Sequence, residues 1–516
     1  MTTPNETADR DITYGNLLSP KLPGLGNLGF GSTMFAVFSA IVLIVLVAVL
    51  QLLVVAVVWL VISAAVLAPA AFPTKDGYGR YQMVWRRRMH ARAEKTGRTA
   101  LRQGLSGHVP DGECRLPGLA ATTRLRTFRD VHGREFGLIV WPEQDLYTVV
   151  IEAFPSGFEG LDKATIDSYL AHWAAWLGRL NTVEEVAGAA VVVETVPDSG
   201  RRLLRAVRRG RVDNAPRLSR GVTDQILDSY HVGTPATTVR LTVTLSAIAP
   251  GAADEPARSE QEMADLIGDL LPTWTGSLDM TGAGTGARPC TGQEITDYVR
   301  VAFDPSVAEL VEEAQLRSGE DGPGGGGTGI EWAQAGPISA WNHWEHYAHE
   351  SAVSRTWQMK EPPRGVFFAQ TLHHMLAPHK DIARKRVALL YRPESPEASA
   401  TASERDVKNA RLKATQGRYA KAAASGDLEA AQRSTRQVAM GSPLIRVGML
   451  VTVTVRDAAE LARASRAVKT GLAGQARIAL RLPKGAQDVS FLCSLPLGLV
   501  PQIALRAPGK HEEGAA

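Results

Sequence analysis

Cysteine is scarce in this sequence, and the best-known catalytic motifs are missing from it. The 516 residues include 3 cysteines, Cys114, Cys290 and Cys493, so a disulfide scaffold and a clustered cysteine metal site are excluded. The chain also lacks the P-loop pattern Gly-x-x-x-x-Gly-Lys-Ser/Thr, the Gly-x-Ser-x-Gly elbow and the His-Glu-x-x-His motif. We therefore expect a protein that is not an enzyme, with no catalytic residue, no resident metal and no cofactor.

Charge of either sign is missing between Lys21 and Lys75. Within this gap, residues 33–72 form a 40-residue apolar block, about twice the length that one membrane-spanning helix needs. We predict a transmembrane hairpin at residues 33–73 that reverses at Gln51; a single long, tilted helix is the alternative. A cleaved signal peptide fits poorly, because its apolar core would begin within the first 30 or so residues, after a basic start.

Arginine dominates the sequence that follows the apolar block. Arg86, Arg87 and Arg88 form the centre of this basic flank. Because basic flanks stay on the cytoplasmic side, we predict a two-pass protein of the bacterial inner membrane with most of the chain in the cytoplasm. The three arginines are candidate contacts for lipid phosphates. A simple stop-transfer signal is the alternative interpretation.

Beyond residue 105, strand-like segments alternate with helical ones. Residues 146–154 and 186–197 are rich in β-branched residues, and residues 165–180 place Leu and Trp at helical spacing. This order predicts an α+β fold class, a mixed α/β body with antiparallel sheets and helices on one face. The predicted parts are an N-terminal tail (1–32), the hairpin (33–73), a basic juxtamembrane segment (74–105), a first α+β domain (106–250), a second α+β section with a Gly-rich insert (251–395), an exposed helical arm (396–438) whose two helices join at Ser425–Gly426, a strand–helix–strand unit (439–505) and a disordered tail (506–516).

Histidines cluster in one stretch of the second section. His343, His346 and His349 step by three residues, which spreads them around a helix and alternates them across a strand, so a single-metal site is awkward in either case. We expect this stretch to be an aromatic-rich structural or partner surface; metal binding is the weaker alternative.

A second basic run covers residues 201–220. Arg201, Arg205, Arg208 and Arg209 fall largely on one face of a predicted helix. This face is either simply solvated or docks an acidic partner or anionic lipid. Direct nucleic-acid binding is not expected, because the whole chain carries a net charge of only +4 and aromatics are not interleaved with these arginines.

The order of several segments resembles the N-terminal, non-motor domain of conjugation and type IV secretion ATPases of the VirB class. The preceding hairpin looks like the small inner-membrane subunit that is fused to that ATPase in some systems. Together, without a motor, they are similar to actinobacterial integral membrane proteins of conjugative-element transfer clusters. The matching stretches are EAFP (152–155), LAHWAAWLGRL, VVVETVPDSGRRL, SYHVGTPATTVRLTVTLSAI, AFDPSVAEL, HYAHESAVSRTWQMKEPPRGVFFAQTLHHML and FLCSLPLGLVP.

This resemblance implies a non-enzymatic, membrane-anchored structural subunit of a type IV-like conjugation or secretion apparatus. Its expected partners are inner-membrane lipids, a separately encoded transfer ATPase and other secretion subunits. No catalytic residue is carried over, because the nucleotide site belongs to the motor domain. Two alternatives are a two-pass membrane subunit of a type VII secretion system and a membrane-tethered enzyme, metal-dependent through His343, His346 and His349.

Overall fold

A computed structural model of the chain contains one large sheet with helices around it. The structure describes residues 30–49, 51–71, 74, 76–107, 112–155, 157, 160–201, 204, 207, 210, 212, 214, 216–229, 235–248, 256–318, 327–363, 369–394, 396–416, 421–439 and 444–504. Residues 1–29 of the predicted N-terminal tail (1–32) lie outside these residues, whereas its last three belong to a helix. The predicted C-terminal tail (506–516), most of the Gly-rich insert, and Arg205, Arg208 and Arg209 also lie outside them.

Among the described residues, thirteen strands build the sheet. They are β1 (Ala100–Arg102), β2 (Arg124–Arg129), β3 (Glu135–Trp141), β4 (Leu146–Ala153), β5 (Val186–Pro197), β6 (Pro235–Ser246), β7 (Arg288–Pro289), β8 (Ser339–Asn342), β9 (Tyr347–His349), β10 (Ala352–Glu361), β11 (Arg384–Pro393), β12 (Ile445–Val455) and β13 (Ala479–Arg481).

The α-helices lie before, between and after these strands. They are α1 (Phe30–Ile44), α2 (Leu53–Ala71), α3 (Arg80–Lys95), α4 (Lys163–Leu180), α5 (Arg217–Ser229), α6 (Glu260–Leu278), α7 (Gly292–Phe303), α8 (Ala308–Ser318), α9 (His373–Leu376), α10 (Pro396–Gln416), α11 (Lys421–Ala439), α12 (Leu461–Arg466), α13 (Ala473–Gln475), α14 (Gln487–Cys493) and α15 (Pro501–Ala504).

Every pair of neighbouring strands is antiparallel. The order across the sheet is β1–β8–β9–β10–β12–β11–β5–β6–β4–β3–β2, with β13 beside β10 and β7 beside β4. The long strands β5, β11 and β12 lie side by side at the centre, where Leu390 of β11 is level with Ala190 and Gly448. The chain therefore has an α+β fold in which strands from the juxtamembrane segment, both predicted α+β sections and the C-terminal unit share one sheet.

The helices cover both faces of this sheet, so the expectation of helices on one face is wrong. Successive residues of a strand point to opposite faces. In β3, Ile139 packs into the core under α7 and α14, whereas its neighbours Leu138 and Val140 pack into the core under α4 and α6. Apolar residues at both positions of the alternation are typical of a sheet that is buried on both sides.

The predicted transmembrane hairpin is wrong as a membrane-spanning structure. The two apolar helices do pair, through a 2.6 Å hydrogen bond between the Oγ atoms of Ser39 and Ser63, and the chain turns at Gln51, whose φ is 51°. However, none of the helices among the described residues is long and apolar enough to cross a membrane. The 15 residues of α1 cover about 22 Å of a hydrocarbon core roughly 30 Å thick, because an α-helix rises about 1.5 Å per residue, and a π-helical turn at Val45–Val49 follows. The predicted two-pass location in the inner membrane fails on the same finding.

The helical arm consists of α10 and α11, which pack against each other. Small side chains line their contact: Ala410 and Ala431 are both buried there. Thr435 Oγ1 donates a 3.4 Å hydrogen bond to the carbonyl of Ser403 across the pair. Ser425 and Gly426 lie inside α11 and do not form the predicted junction, because one glycine costs a helix only about 1 kcal/mol and its neighbours are strong helix formers.

The closing segment after α14 lies against the sheet and completes its core. Gly498 has a φ of 67°, and a Cβ atom at this position would lie 2.2 Å from Thr244 Oγ1. Thr244 Oγ1 donates a 2.8 Å hydrogen bond to the Gly498 carbonyl, and Trp141 Nε1 donates one of 3.3 Å to that of Leu497. Only glycine satisfies both the backbone angle and the close approach to β6.

Candidate functional site: a basic cleft

Helix α3 carries the three arginines that the sequence singles out, and it is fastened to the sheet at its start. The ring of Tyr78 lies between the guanidinium groups of Arg86 and Arg481, at 4.6 and 5.0 Å from its centroid. Just before the helix, Asp76 forms a 3.1 Å ion pair with Lys484. These contacts fix the rotation of α3, so that its next residues face the β8–β9 hairpin.

An open cleft of about 610 Å³ lies between α3 and this hairpin. The residues from α3 recur at the spacing of one helical face, i, i+3, i+4 and i+7. The remaining ones come from the hairpin turn and from β10. The lining residues are Arg87, His90, Ala91, Glu94, His343, Trp344, Glu345, His346 and Arg355.

The hairpin turn holds two imidazoles together. His343 N donates a 2.9 Å hydrogen bond to the carbonyl of His346, which closes the turn between β8 and β9. The two rings then stack, with their centroids 4.4 Å apart and their planes 25° from parallel. Burial, followed by the charges of His343 and Arg355, lowers the pKa of His346 below its ordinary value. The surroundings of His346 therefore disfavour the protonated imidazole.

The guanidinium of Arg355 is held in place at the floor of the cleft. Its Nε donates a 3.0 Å hydrogen bond to the carbonyl of Glu345, and its Nη1 donates one of 2.9 Å to Ser465 Oγ. The carboxylate of Glu345 forms a 3.2 Å ion pair with Lys484. Lys484 therefore joins the start of α3 to the hairpin, because it also holds Asp76.

The third predicted histidine is not part of this cleft. His349 is 1% exposed, its Nδ1 lies 2.5 Å from the Phe303 carbonyl and its Nε2 lies 2.8 Å from Ser354 Oγ. Since a carbonyl accepts, Nδ1 carries the proton and Nε2 accepts from Ser354. Burial lowers the pKa of His349 to about 4. Across the described part of the chain, no three metal-ligating side chains come together, so the alternative of a metal site at the three histidines has no geometric support.

The other predicted contact residues have different surroundings. Arg86 is engaged with Tyr78, whereas Arg88 is exposed beside the cleft. Arg201 forms ion pairs of 3.0 and 3.1 Å with Glu309 and Glu313 of α8. Its charge is therefore already matched within the chain. Arg205, Arg208 and Arg209 lie outside the described residues.

The apolar pair α1–α2 exposes large hydrophobic side chains on much of its surface. Val54 is 79% exposed and Leu53 67%. A surface of this kind on a folded protein marks an interaction site. Further residues of the pair that are at least half exposed are Met34, Val37, Phe38, Ile41, Ile44, Val57, Val58, Leu60 and Val61.

No protein-family model matches this chain, and no curated protein matches it. The resemblance to the non-motor domain of VirB-class ATPases therefore stays a prediction.

Sequence reasoning missed a second cluster of charges, which is buried under α7. Glu194 of β5 accepts a 2.7 Å hydrogen bond from Arg386 of β11, and the same arginine donates one of 3.0 Å to the Tyr298 hydroxyl. Although burial alone would raise it, Arg386 and Arg384 hold the pKa of Glu194 below its ordinary value. Part of the signal was present in the sequence, because Glu194 is the one charged residue of the otherwise apolar β5. Further members are Glu152, Arg240 and Arg288.

Buried cysteines and a buried lysine complete the interior. Burial raises the pKa of both Cys290 and Cys493 to about 12, so neither thiol is reactive near neutral pH. Lys385 Nζ donates a 2.8 Å hydrogen bond to the carbonyl of Met375 and a second one to that of Ala377. Burial lowers the pKa of this amine to about 8. These groups serve packing and hydrogen bonding inside the protein.

Proposed function

We propose that the chain is a non-enzymatic structural subunit of a bacterial type IV-like conjugation or secretion apparatus, in which it docks a separately encoded motor ATPase. The exposed apolar surface of α1–α2 carries this proposal. A helix that is apolar all round is buried in its working state. In this proposal, apolar helices of a neighbouring subunit bury the exposed surface of α1 and α2 and complete a helical bundle with them.

The continuous sheet supports the role of a platform. As far as the structure describes the chain, β2 forms one edge of the sheet and pairs only with β3. An edge strand can pair with a further strand. Its residues Arg124, Arg126 and Arg129 are exposed, and Arg126 forms a 3.3 Å ion pair with Glu260. A basic edge strand suits an acidic strand or loop of a partner, because main-chain pairing and charge then act together.

The interior of the body supports a role without chemistry. The buried His349 and Glu194 form hydrogen bonds inside the protein, and the Cys290 thiol stays protonated. The sequence contains no P-loop, so a motor activity must come from another chain. Because the order of segments in this chain resembles the non-motor domain of VirB-class transfer ATPases, we propose that the separate motor is an ATPase of that class.

The test is complex formation between the full-length chain and the transfer ATPase encoded in the same gene cluster. Val54→Asp, Val57→Asp and Val61→Asp place three charges on one face of α2, and we expect the combined variant to lose the assembled complex in size-exclusion chromatography. Leu218→Asp is the matched control, because Leu218 is 81% exposed on α5 and lies outside the helix pair.

Two results would contradict the proposal. One is a complex that forms equally well with the triple variant and with the wild type. The other is ATP hydrolysis by the purified chain in the absence of the ATPase.

A further inference from the structure

The basic cleft has no part in the docking surfaces proposed above, yet it collects guanidinium and imidazole groups from three elements. Arg87 and His90 come from α3, His343 and His346 from the hairpin turn, and Arg355 from β10. The turn and α3 are about 250 residues apart in the chain, so only the fold brings these groups to one place. Such convergence of polar groups in a concave site is typical of ligand binding.

Two carboxylates, those of Glu94 and Glu345, line the cleft beside the guanidinium groups of Arg87 and Arg355. Glu345 is held by Lys484 at 3.2 Å, and it lies 4.0 Å from Arg355. Glu94 is exposed in the last turn of α3. None of the described residues forms an ion pair with Arg87, so its guanidinium is open to an anion, and the stacked imidazoles beside it offer further N–H donors.

The aromatic side chain that lines the cleft, Trp344, already packs against other residues of the protein. Trp344 packs against the ring of His90, with centroids 5.4 Å apart. Its other neighbour is Gly485, where a Cβ atom would lie 2.8 Å from the indole Cζ3. Because the indole has these contacts, a ligand in the cleft is recognised by charge rather than by stacking of a base.

We propose that this cleft binds a small phosphorylated solute through its phosphate groups. Guanidinium groups bind phosphate oxygens through two parallel hydrogen bonds, and Arg355 is already fixed by Glu345 and Ser465. His343 and His346 donate further hydrogen bonds from their ring nitrogens. The volume of about 610 Å³ lies within the usual range of roughly 300–1,000 Å³ for small-molecule sites.

The test is isothermal titration of the full-length chain with inorganic pyrophosphate at low ionic strength. We expect binding by the wild type and at least a tenfold loss of affinity in Arg87→Gln and in His343→Gln. Arg88→Gln is the matched control, because Arg88 is the next residue of α3, is exposed and points away from the lining. Its affinity should equal that of the wild type.

Two further probes distinguish the source of the phosphate. ATP represents a nucleotide, and glycerol 3-phosphate represents a lipid headgroup; tighter binding of either one supports the site and identifies its source. Absence of binding by all three probes would overturn the proposal. Equal weakening in Arg87→Gln and Arg88→Gln would overturn it as well, because the binding would then be a general effect of surface charge.

Discussion

Two clusters of charged side chains, one buried and one lining the basic cleft, differ in whether the protein itself supplies their partners. In the buried cluster, Arg386 is 2% exposed and has Glu194 and the Tyr298 hydroxyl within hydrogen-bond distance. In the basic cleft, Arg87 is exposed and His343 faces open volume. Both clusters contain arginine and glutamate, but in the buried cluster the protein supplies the partners of its arginines, whereas in the cleft Arg87 faces open volume.

This difference teaches that burial decides what a charged cluster does. A charge removed from water must be compensated inside the protein, so each member of the buried cluster is tied to the stability of the fold. An exposed cationic group is stabilised by water and contributes little to folding, and it stays available to a ligand. The two clusters should therefore respond in opposite ways to substitution.

The largest effect is expected for Glu194→Ala. Removing this carboxylate leaves Arg386 and Arg384 buried without their counter-charge, and we expect the free energy of unfolding to fall by about 3–5 kcal/mol. Arg201→Ala is the control, because its pairs with Glu309 and Glu313 are on the surface and should cost at most about 1 kcal/mol. Urea denaturation followed by circular dichroism measures both. Similar losses in the two variants would remove the distinction between the clusters.

A second prediction concerns pH and the buried His349. Burial lowers its pKa to about 4 in the fold, from an ordinary value of 6.5. The unfolded chain therefore takes up a proton at this position below pH 6.5 while the folded chain does not. Stability is complete above pH 6.5 and falls as the pH drops towards 4, by about 3 kcal/mol for this residue.

The matched pair for this measurement is His349→Gln and His343→Gln. We expect the first substitution to flatten the pH dependence of the unfolding free energy between pH 6.5 and 4, and the second to leave it unchanged. If His349→Gln does not fold, the imidazole NMR signal of His349 in the wild type should still titrate well below pH 6. A titration near 6.5 would contradict the prediction.

The third prediction is that phosphate binding in the cleft strengthens at lower pH. The pKa of His346 is lowered by burial and by His343 and Arg355, against the opposing charge of Glu345. A bound anion would favour the protonated ring, so binding takes up a proton. Arg87, His90 and Glu94 also face the cleft from α3 and are present in both proteins of the comparison, so the sign follows from the interaction of the anion with His346.

The measurement compares wild type with His346→Gln at pH 6 and pH 8. The difference between the two proteins cancels the ionisation of the pyrophosphate itself. We expect the advantage of the wild type to be several-fold larger at pH 6, and an equal advantage at both values would show that His346 does not take part.

The smallest effect is expected for stability changes in the cleft. Arg87→Gln and Arg88→Gln should each alter the free energy of unfolding by less than about 0.5 kcal/mol, because both side chains are exposed. Thermal melts measure this directly. A loss of several kcal/mol from Arg87→Gln would move Arg87 to the class of residues that hold the fold together.

Local sequence patterns were sufficient for several elements and misleading for others. The valine-rich stretch at 186–197 is β5, and the Leu–Trp spacing at 165–180 lies within α4, because both patterns repeat with the period of their structure. The apolar block at 33–72 has no such period. Its composition predicted membrane passes, but it contains a π-helical turn and a left-handed residue at Gln51.

The candidate site shows where prediction from sequence ends. In the sequence, Arg87 belongs to the basic flank of the apolar block, and His343 and His346 belong to the histidine-rich stretch. Nothing in either run indicates that these residues share a cleft. The sequence does not indicate the roles of Arg355 and Lys484, because one arginine in a strand and one lysine in a loop resemble many others. Their roles depend on Glu345, which each of them contacts.

The amino-acid order alone determines those strands and helices whose side-chain pattern repeats with the period of the structure, such as β5 and α4. The sequence alone also shows that the P-loop pattern is missing. The tertiary structure decided which charges are buried and which stay open, because this depends on strand pairing across long stretches of chain, such as β11 with β5. The pairing of β11 with β5 buries Glu194 beside Arg386. The packing of α3 against the β8–β9 hairpin places His343 in a cleft.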